Sequence, residues 1–216
     1  TNIYNQLGRI EFPITLVGSE KIDGSSITIG VKNGEGFICS RNMQKPLFYN
    51  KCVGVRNKTF IEKLLFWKKP NLKIYERVAN DQDDFVKYGK PYLDKLSPIV
   101  DIVFRGELNG SHLKGSGNKN NPARLEKPNI KFFGVDYFDK NEIAYKATNE
   151  GFINACNYYD FPVTKQVFKK QFNTFQEIVD ECNEYFKTNM IEGIVVRSLN
   201  SKFSAKCMNL SYDSMK

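Results

Sequence analysis

One lysine in this 216-residue chain stands where it could act as a nucleophile. Lys21 lies in Ser19-Glu20-Lys21-Ile22-Asp23-Gly24-Ser25-Ser26, between one apolar run (Ile14, Leu16, Val17) and another (Ile27, Ile29, Val31). The apolar residues alternate with Thr, Gly and Lys as in half-buried strands, so Lys21 is expected at the end of one strand, beside a turn that opens the next. A lysine at its ordinary pKa of about 10.4 is neutral in only roughly one molecule in a few thousand at pH 7. Nucleophilic use needs burial or a cationic neighbour, and Asp23 alone works the other way. A divalent metal held by carboxylates, or other lysines, would serve. Gly24 would let the backbone turn tightly and leave a phosphate room to reach the amine. A solvated lysine beside an Asp-Gly turn is also a common hairpin feature, so these four residues alone decide nothing.

Other charged residues sit at the ends of apolar runs. Ile99-Val100-Asp101-Ile102-Val103-Phe104-Arg105-Gly106-Glu107-Leu108-Asn109-Gly110 reads as an apolar strand ending on a carboxylate between glycines. Packing explains Glu107 poorly; a role in holding a ribose hydroxyl or a hydrated metal explains it better. Met190-Ile191-Glu192-Gly193-Ile194-Val195-Val196-Arg197 repeats the pattern with the carboxylate leading the strand, and Phe203-Ser204-Ala205-Lys206-Cys207-Met208 follows. In Lys131-Phe132-Phe133-Gly134-Val135-Asp136-Tyr137-Phe138, period two puts Phe133, Val135 and Tyr137 on one face.

The positioning elements are strands with a few helices. Asn33-Gly34-Glu35-Gly36 predicts a hairpin whose return strand ends at Arg41, so that one hairpin pair carries Lys21 at one end and Arg41 at another. Residues 58–69 predict a helix with Phe60, Ile61, Leu64, Leu65 and Trp67 inward, and residues 81–96 a second, interrupted at Gly89 and Pro91. Thr174-Phe175-Gln176-Glu177 is a capping box opening a third, with Phe175, Ile178, Val179, Cys182 and Phe186 as its buried stripe. Residues 110–124 are rich in Gly and Asn and read as a flexible loop, whose Lys114, Lys119 and Arg124 could meet RNA. Hairpin-joined strands with covering helices predict an α+β fold, mainly antiparallel.

Composition narrows the class. Lys and Arg number 32 against 24 Asp and Glu, a net charge of +8, which favours a polyanionic partner such as nucleic acid. The single histidine, His112, excludes a zinc site built on histidines and a histidine-based triad. Five cysteines without a C-x-x-C pair are expected to be reduced thiols in an intracellular protein. No long apolar span is present, so no membrane is expected. The chain starts on Thr1, as expected of a processed or excised piece, and we read residues 1–216 as one domain, complete or cut from a longer protein.

Taken in order, Lys21-x-Asp23-Gly24, Gly106-Glu107-Leu108-x-Gly110, Glu192-Gly193-Ile194-Val195-Val196 and Lys206 resemble the motifs of the covalent nucleotidyltransferases. That superfamily comprises ATP-dependent DNA ligases, RNA ligases and mRNA capping enzymes. The flanking residues look most like ATP-dependent RNA ligases of the second phage type. The resemblance implies two mainly antiparallel sheets flanking a nucleotide cleft, with covering helices. It implies attack of Lys21 on the α-phosphate of ATP to give lysyl-AMP, transfer of AMP to an RNA 5′-phosphate, and sealing by a 3′-hydroxyl. Lys21, Asp23, Glu107, Glu192 and Lys206 would be catalytic. Glu20, Gly24, Arg41, Phe133 and Val135 would join Lys21, Glu107, Glu192 and Lys206 in binding the nucleotide, and Asp23, Glu107 and Glu192 would hold Mg²⁺ or Mn²⁺. Val135 stands where many ligases carry an aromatic residue, and Met208 where RNA ligases frequently carry a second lysine. The expected partner is RNA with nicked or broken ends, and the expected state is a monomer. A DNA ligase core, a GTP-using capping enzyme and an inactive RNA-binding module are the alternatives.

Overall fold

In the computed structural model of the chain, described over residues 2–6, 8–57, 59, 71–113, 121, 126–139 and 141–213, the alternating runs pair into antiparallel sheets. The strands are β1 (Ile14–Lys21), β2 (Ser25–Lys32), β3 (Glu35–Ser40), β4 (Phe48–Asn57), β5 (Asn71–Ala79), β6 (Ile102–Asn109), β7 (Asn129–Phe138), β8 (Ala144–Lys146), β9 (Gln166–Phe172), β10 (Gly193–Ser198) and β11 (Ser204–Met208). A four-stranded sheet has the order β11-β10-β1-β9, a five-stranded sheet the order β3-β2-β6-β7-β8, and β4 and β5 form a separate two-stranded ribbon. The helices are α1 (Asp84–Leu93), α2 (Asn149–Tyr159), α3 (Phe175–Phe186) and the short α4 (Leu210–Asp213). No helix among the described residues is long and apolar enough to cross a membrane, and all five cysteines are free thiols. The helix expected over 58–69 and Lys114, Lys119 and Arg124 of the expected loop lie outside the described residues.

Each large sheet buries one face and turns the other to a shared cleft. Beneath the five-stranded sheet, Ile27 and Ile29 of β2 pack against α1, and with Phe104 and Leu108 of β6 and Ile130 and Phe132 of β7 they share one core with Phe152 and Cys156 of α2. Beneath the four-stranded sheet, Leu16, Ile194, Val196 and Cys207 pack against Ile178 and Cys182 of α3. Each such side chain contributes about 1.5–3 kcal/mol when fully buried, so the alternation fixes which face is left for the cleft. Thr174 caps α3 by accepting a hydrogen bond from the Glu177 N–H at 3.2 Å, and the predicted stripe faces inward.

Three local expectations are revised. β1 and β2 do not form a hairpin: the chain leaves one sheet at Lys21 and enters the other at Ser25. The β2–β3 hairpin does form, with Asn33 and Gly34 both at positive φ. Helix α1 runs through Gly89 and Pro91 without a break, because Gly89 faces the sheet; a Cβ there would lie 3.1–3.4 Å from Ile38, Ile27 and Ile29. The strand expected from Ile99 starts at Ile102, since Ile99 is 90% exposed and its N–H turns back to Ser97 Oγ.

The two walls are tied by a second crossing. Val163 bridges Phe132 of β7, where Phe132 N–H donates to Pro162 O and Thr164 N–H donates to Phe132 O. Two residues on, Lys165 O accepts from the Glu20 N–H of β1.

Candidate active site

Period two dictates which side chains reach the cleft. On β1 the buried Leu16 alternates with Val17, Ser19 and Lys21; on β10 Ile194 and Val196 alternate with Val195 and Arg197; on β11 Ala205 and Cys207 alternate with Lys206. On β6, Phe104 and Leu108 face the core, leaving Arg105 and Glu107 to the cleft. The cleft lined by these outer residues has a volume of about 860 Å³, in the range of roughly 300–1,000 Å³ that small-molecule sites occupy.

Lys21 ends β1 directly opposite Gly193, which brings the preceding Glu192 against its side chain. Lys21 Nζ donates to Glu192 Oε2, with only 20% and 17% of the two side chains exposed. An ion pair this enclosed is screened little by salt, unlike a surface pair. The buried Asn209 fixes Glu192 from behind: its N–H donates to Glu192 O and its side-chain amide to Ile191 O, both at 3.0 Å. Gly193 allows this closeness, since a Cβ there would stand 2.5 Å from Cys207 O.

Gly24 does the same at the crossing, where an added Cβ would lie 2.6 Å from Leu108 O and 3.0 Å from Glu107 Cγ. The glycine therefore docks the crossing segment on β6 beside Glu107. Asp23 Oδ2 accepts a hydrogen bond from Tyr212 Oη at 2.8 Å, and its backbone carbonyl accepts one from Asn121 Nδ2 at 2.7 Å.

Among the cleft carboxylates, Glu107 is the one whose proton affinity is displaced. Burial pushes its carboxyl up to about 7, Glu192 and Asp23 add to the shift, and Lys21 and Lys206 oppose it. The five residues expected to be catalytic thus share one electrostatic neighbourhood. Among the described residues no three carboxylates are gathered as a metal cage; Glu192 is engaged by Lys21 and Asp23 by Tyr212. Glu107, buried without enough positive charge around it, is suited to a cation whose remaining ligands are water and phosphate, the way Mg²⁺ is commonly held.

The other expected residues separate. Arg41 is exposed at the cleft rim. Phe133 is the extra residue of a bulge, because Phe132 pairs with Gly106 and Gly134 with Arg105. The bulge resets the alternation: Phe133 faces the cleft beneath the Arg197 guanidinium, 5.7 Å from its ring centre, while Val135 is 1% exposed and packs in the core with one edge at the cleft. Glu20 accepts a hydrogen bond from Tyr185 Oη at 2.7 Å, which turns its carboxylate toward α3 and away from Lys21.

Two arginines were not anticipated. Arg105 pairs with Asp136 at 2.9 Å, yet its Nε is buried without a partner. Arg197 donates to Ser19 Oγ at 3.1 Å, and burial together with Arg105 lowers its pKa to about 10. Two cations held this close want an anion between them. The signal was available: Arg105 is two residues before Glu107 and Ser19 two before Lys21, so each pair shares a strand face.

The sequence pattern of the RNA ligase family matches residues 14–209. No curated protein sequence matches the chain. Among solved structures, the fold is similar to that of a Naegleria gruberi RNA ligase. In complex with PPi, that protein is 16% identical with a TM-score of 0.66, covering 99% of this chain and 55% of that one. A mutant of the same ligase with ATP and Mn is 17% identical with a TM-score of 0.62 over 99% and 55%. Another, with AMP and Mn, is 16% identical with a TM-score of 0.64 over 100% and 56%. The chain thus spans about half the length of the proteins whose fold it shares. With a family pattern running from the first residue of β1 to the residue after β11, the chain belongs to the RNA ligase family.

Proposed function

We propose that the cleft is the adenylylation site of an ATP-dependent RNA ligase, with Lys21 as nucleophile. The observation that carries this reading is the enclosed Lys21–Glu192 pair facing Glu107 across a cleft floored by Arg105 and Arg197. The Naegleria ligase structures containing ATP, AMP and PPi support the choice of nucleotide.

An ammonium has no lone pair, so Lys21 must lose a proton before it attacks. Glu192 Oε2 is the acceptor already in contact with that proton. The Lys21 Nζ–phosphorus bond then forms as the bond from the α-phosphorus to the leaving pyrophosphate oxygen breaks. Arg197 and Lys206 supply positive charge to the phosphates, and Phe133 presents an aromatic face for the nucleoside. Glu107 would hold a divalent ion, Mg²⁺ or Mn²⁺, which when bound neutralises phosphate charge. AMP next passes from Lys21 to the 5′-phosphate of RNA, and a 3′-hydroxyl displaces it to form the phosphodiester.

Intact-protein mass after incubation with ATP and Mg²⁺, with GTP in parallel, tests this. One AMP added to the wild type and none to Lys21→Ala is the expected result, followed by sealing of nicked RNA. A GMP adduct would move the assignment to capping chemistry. No adduct in folded protein that carried no AMP beforehand would overturn it.

A further inference from the structure

The β4–β5 ribbon belongs to neither wall of the cleft and pairs with no other described strand. A two-stranded ribbon by itself is marginal in water, so its surface composition carries information about what meets it. Cross-strand register sorts its side chains: Phe48 lies opposite Ala79, Cys52 opposite Tyr75 and Val55 opposite Lys73, with a bulge between Cys52 and Gly54 that keeps these pairs on one face. That face presents Phe48, Tyr75, Val55, Lys73 and Arg77, and no carboxylate among its described residues. Phe48 and Tyr75 are 41% and 57% exposed. The Arg77 guanidinium lies 4.5 Å from the centre of the Phe48 ring, a cation–π contact that orders the two groups together. On the opposite face, by contrast, Lys51 stands across from Glu76, and those two charges cancel.

The ribbon's base adjoins the cleft. Asn80 N–H donates to Leu47 O at 3.0 Å and its side chain to Pro46 O at 2.9 Å, while Lys45 pairs with Asp83 at 3.0 Å. These contacts anchor the ribbon a few residues after Arg41 on the cleft rim.

Exposed rings interleaved with cations and free of acid fit a polyanion with unstacked bases, since aromatic faces stack on bases and Lys and Arg meet phosphates. We infer that the Phe48/Tyr75/Lys73/Arg77 face binds single-stranded RNA leading to the cleft. This rests on the ligase reading for the identity of the nucleic acid, although the face can bind whether or not the cleft reacts.

Fluorescence anisotropy of a labelled single-stranded RNA oligonucleotide, over a series of salt concentrations, tests it. Phe48→Ala/Tyr75→Ala is expected to weaken binding by roughly fivefold to a hundredfold. Lys73→Ala/Arg77→Ala should also flatten the salt dependence, by about 0.7 in log–log slope for each phosphate no longer neutralised. Lys51→Ala, on the opposite face, should change affinity less than twofold. Lys21 adenylylation, read by mass without RNA, should be unchanged in all three, so loss of RNA binding is separable from loss of the reaction. Unchanged affinity and slope in the two face variants would overturn the inference. So would sedimentation showing a wild-type dimer that those variants dissolve, because the face would then cover a second copy of this chain.

Discussion

The two walls of the cleft handle charge in opposite ways. On the four-stranded sheet, Lys21 meets Glu192, and the backbone beneath them is pinned by Asn209. On the five-stranded sheet, Glu107 is buried among carboxylates with its proton held up to about pH 7, and Arg105 keeps a buried Nε unpartnered. At Lys21 the first wall supplies its own partner; at Glu107 and Arg105 the second is left short of partners that a charged ligand can supply. The proposed reaction needs both, because Lys21 must be aimed before ATP arrives, while the pocket must gain something when it does.

Breaking the satisfied wall has the largest expected effect. Glu192→Gln removes the proposed proton acceptor beside Lys21 and should slow single-turnover adenylylation roughly 10²–10⁴-fold, the span of general-base contributions. Quenched-flow mass analysis measures it; a loss below tenfold would mean that Glu192 only orients the amine. Gly24→Ala tests whether the walls must sit this close. Its Cβ would be driven into Leu108 O, and a cost of about 1–3 kcal/mol is expected by denaturant unfolding, together with slower adenylylation.

The unsatisfied wall should respond in the reverse sense. Unfolded, Glu107 loses its proton near its ordinary value of 4.5; folded, it keeps it to about 7. Between those values the folded state binds more protons, so stability falls as pH rises through the window and levels above it. Glu107→Gln lacks that slope. Its melting temperature should exceed wild type by several degrees at pH 8, given about 2–4 °C per kcal/mol at this size, and match it below about pH 4.5. Its adenylylation should fall at every pH. If the variant melts lower at pH 8, Glu107 is not strained in the free protein. The smallest effect belongs to Tyr185→Phe, which removes the hydroxyl that donates to Glu20 and accepts from Lys165. About 0.5–1.5 kcal/mol of stability and an adenylylation rate within twofold of wild type are expected.

Much of this was legible in the sequence because strand alternation is a local property. Lys21, Glu107 and Lys206 sit on the strand faces where period two puts them, and the α3 stripe follows from its capping box and spacing. What escaped was set by tertiary contact. One bulge, at Phe133, inverts the phase of β7 and separates Phe133 from Val135, and no residue in Phe132-Phe133-Gly134 announces it beyond the glycine. Gly89 and Pro91 read as a break, but packing on Ile27, Ile29 and Ile38 outweighs their poor helix propensity. The Asp-Gly turn suggested a hairpin, whereas both flanking strands find better partners elsewhere: β1 with β9 and β10, β2 with β3 and β6.

Those pairings also bear on the order in which the molecule can be made. Every strand of the five-stranded sheet lies between Ser25 and Lys146, so that sheet can close while β9, β10 and β11 are still in the ribosome. β1 is synthesised before all of it, yet waits for partners that begin at Gln166 and Gly193. Until the chain has reached those strands Lys21 is therefore on an unpaired strand, 171 residues from the carboxylate that will hold it. Contacts of such long sequence separation form slowly and leave strand edges open to wrong pairing. Lys21, made before nearly all of the strands around it, is among the last residues of the cleft to be enclosed.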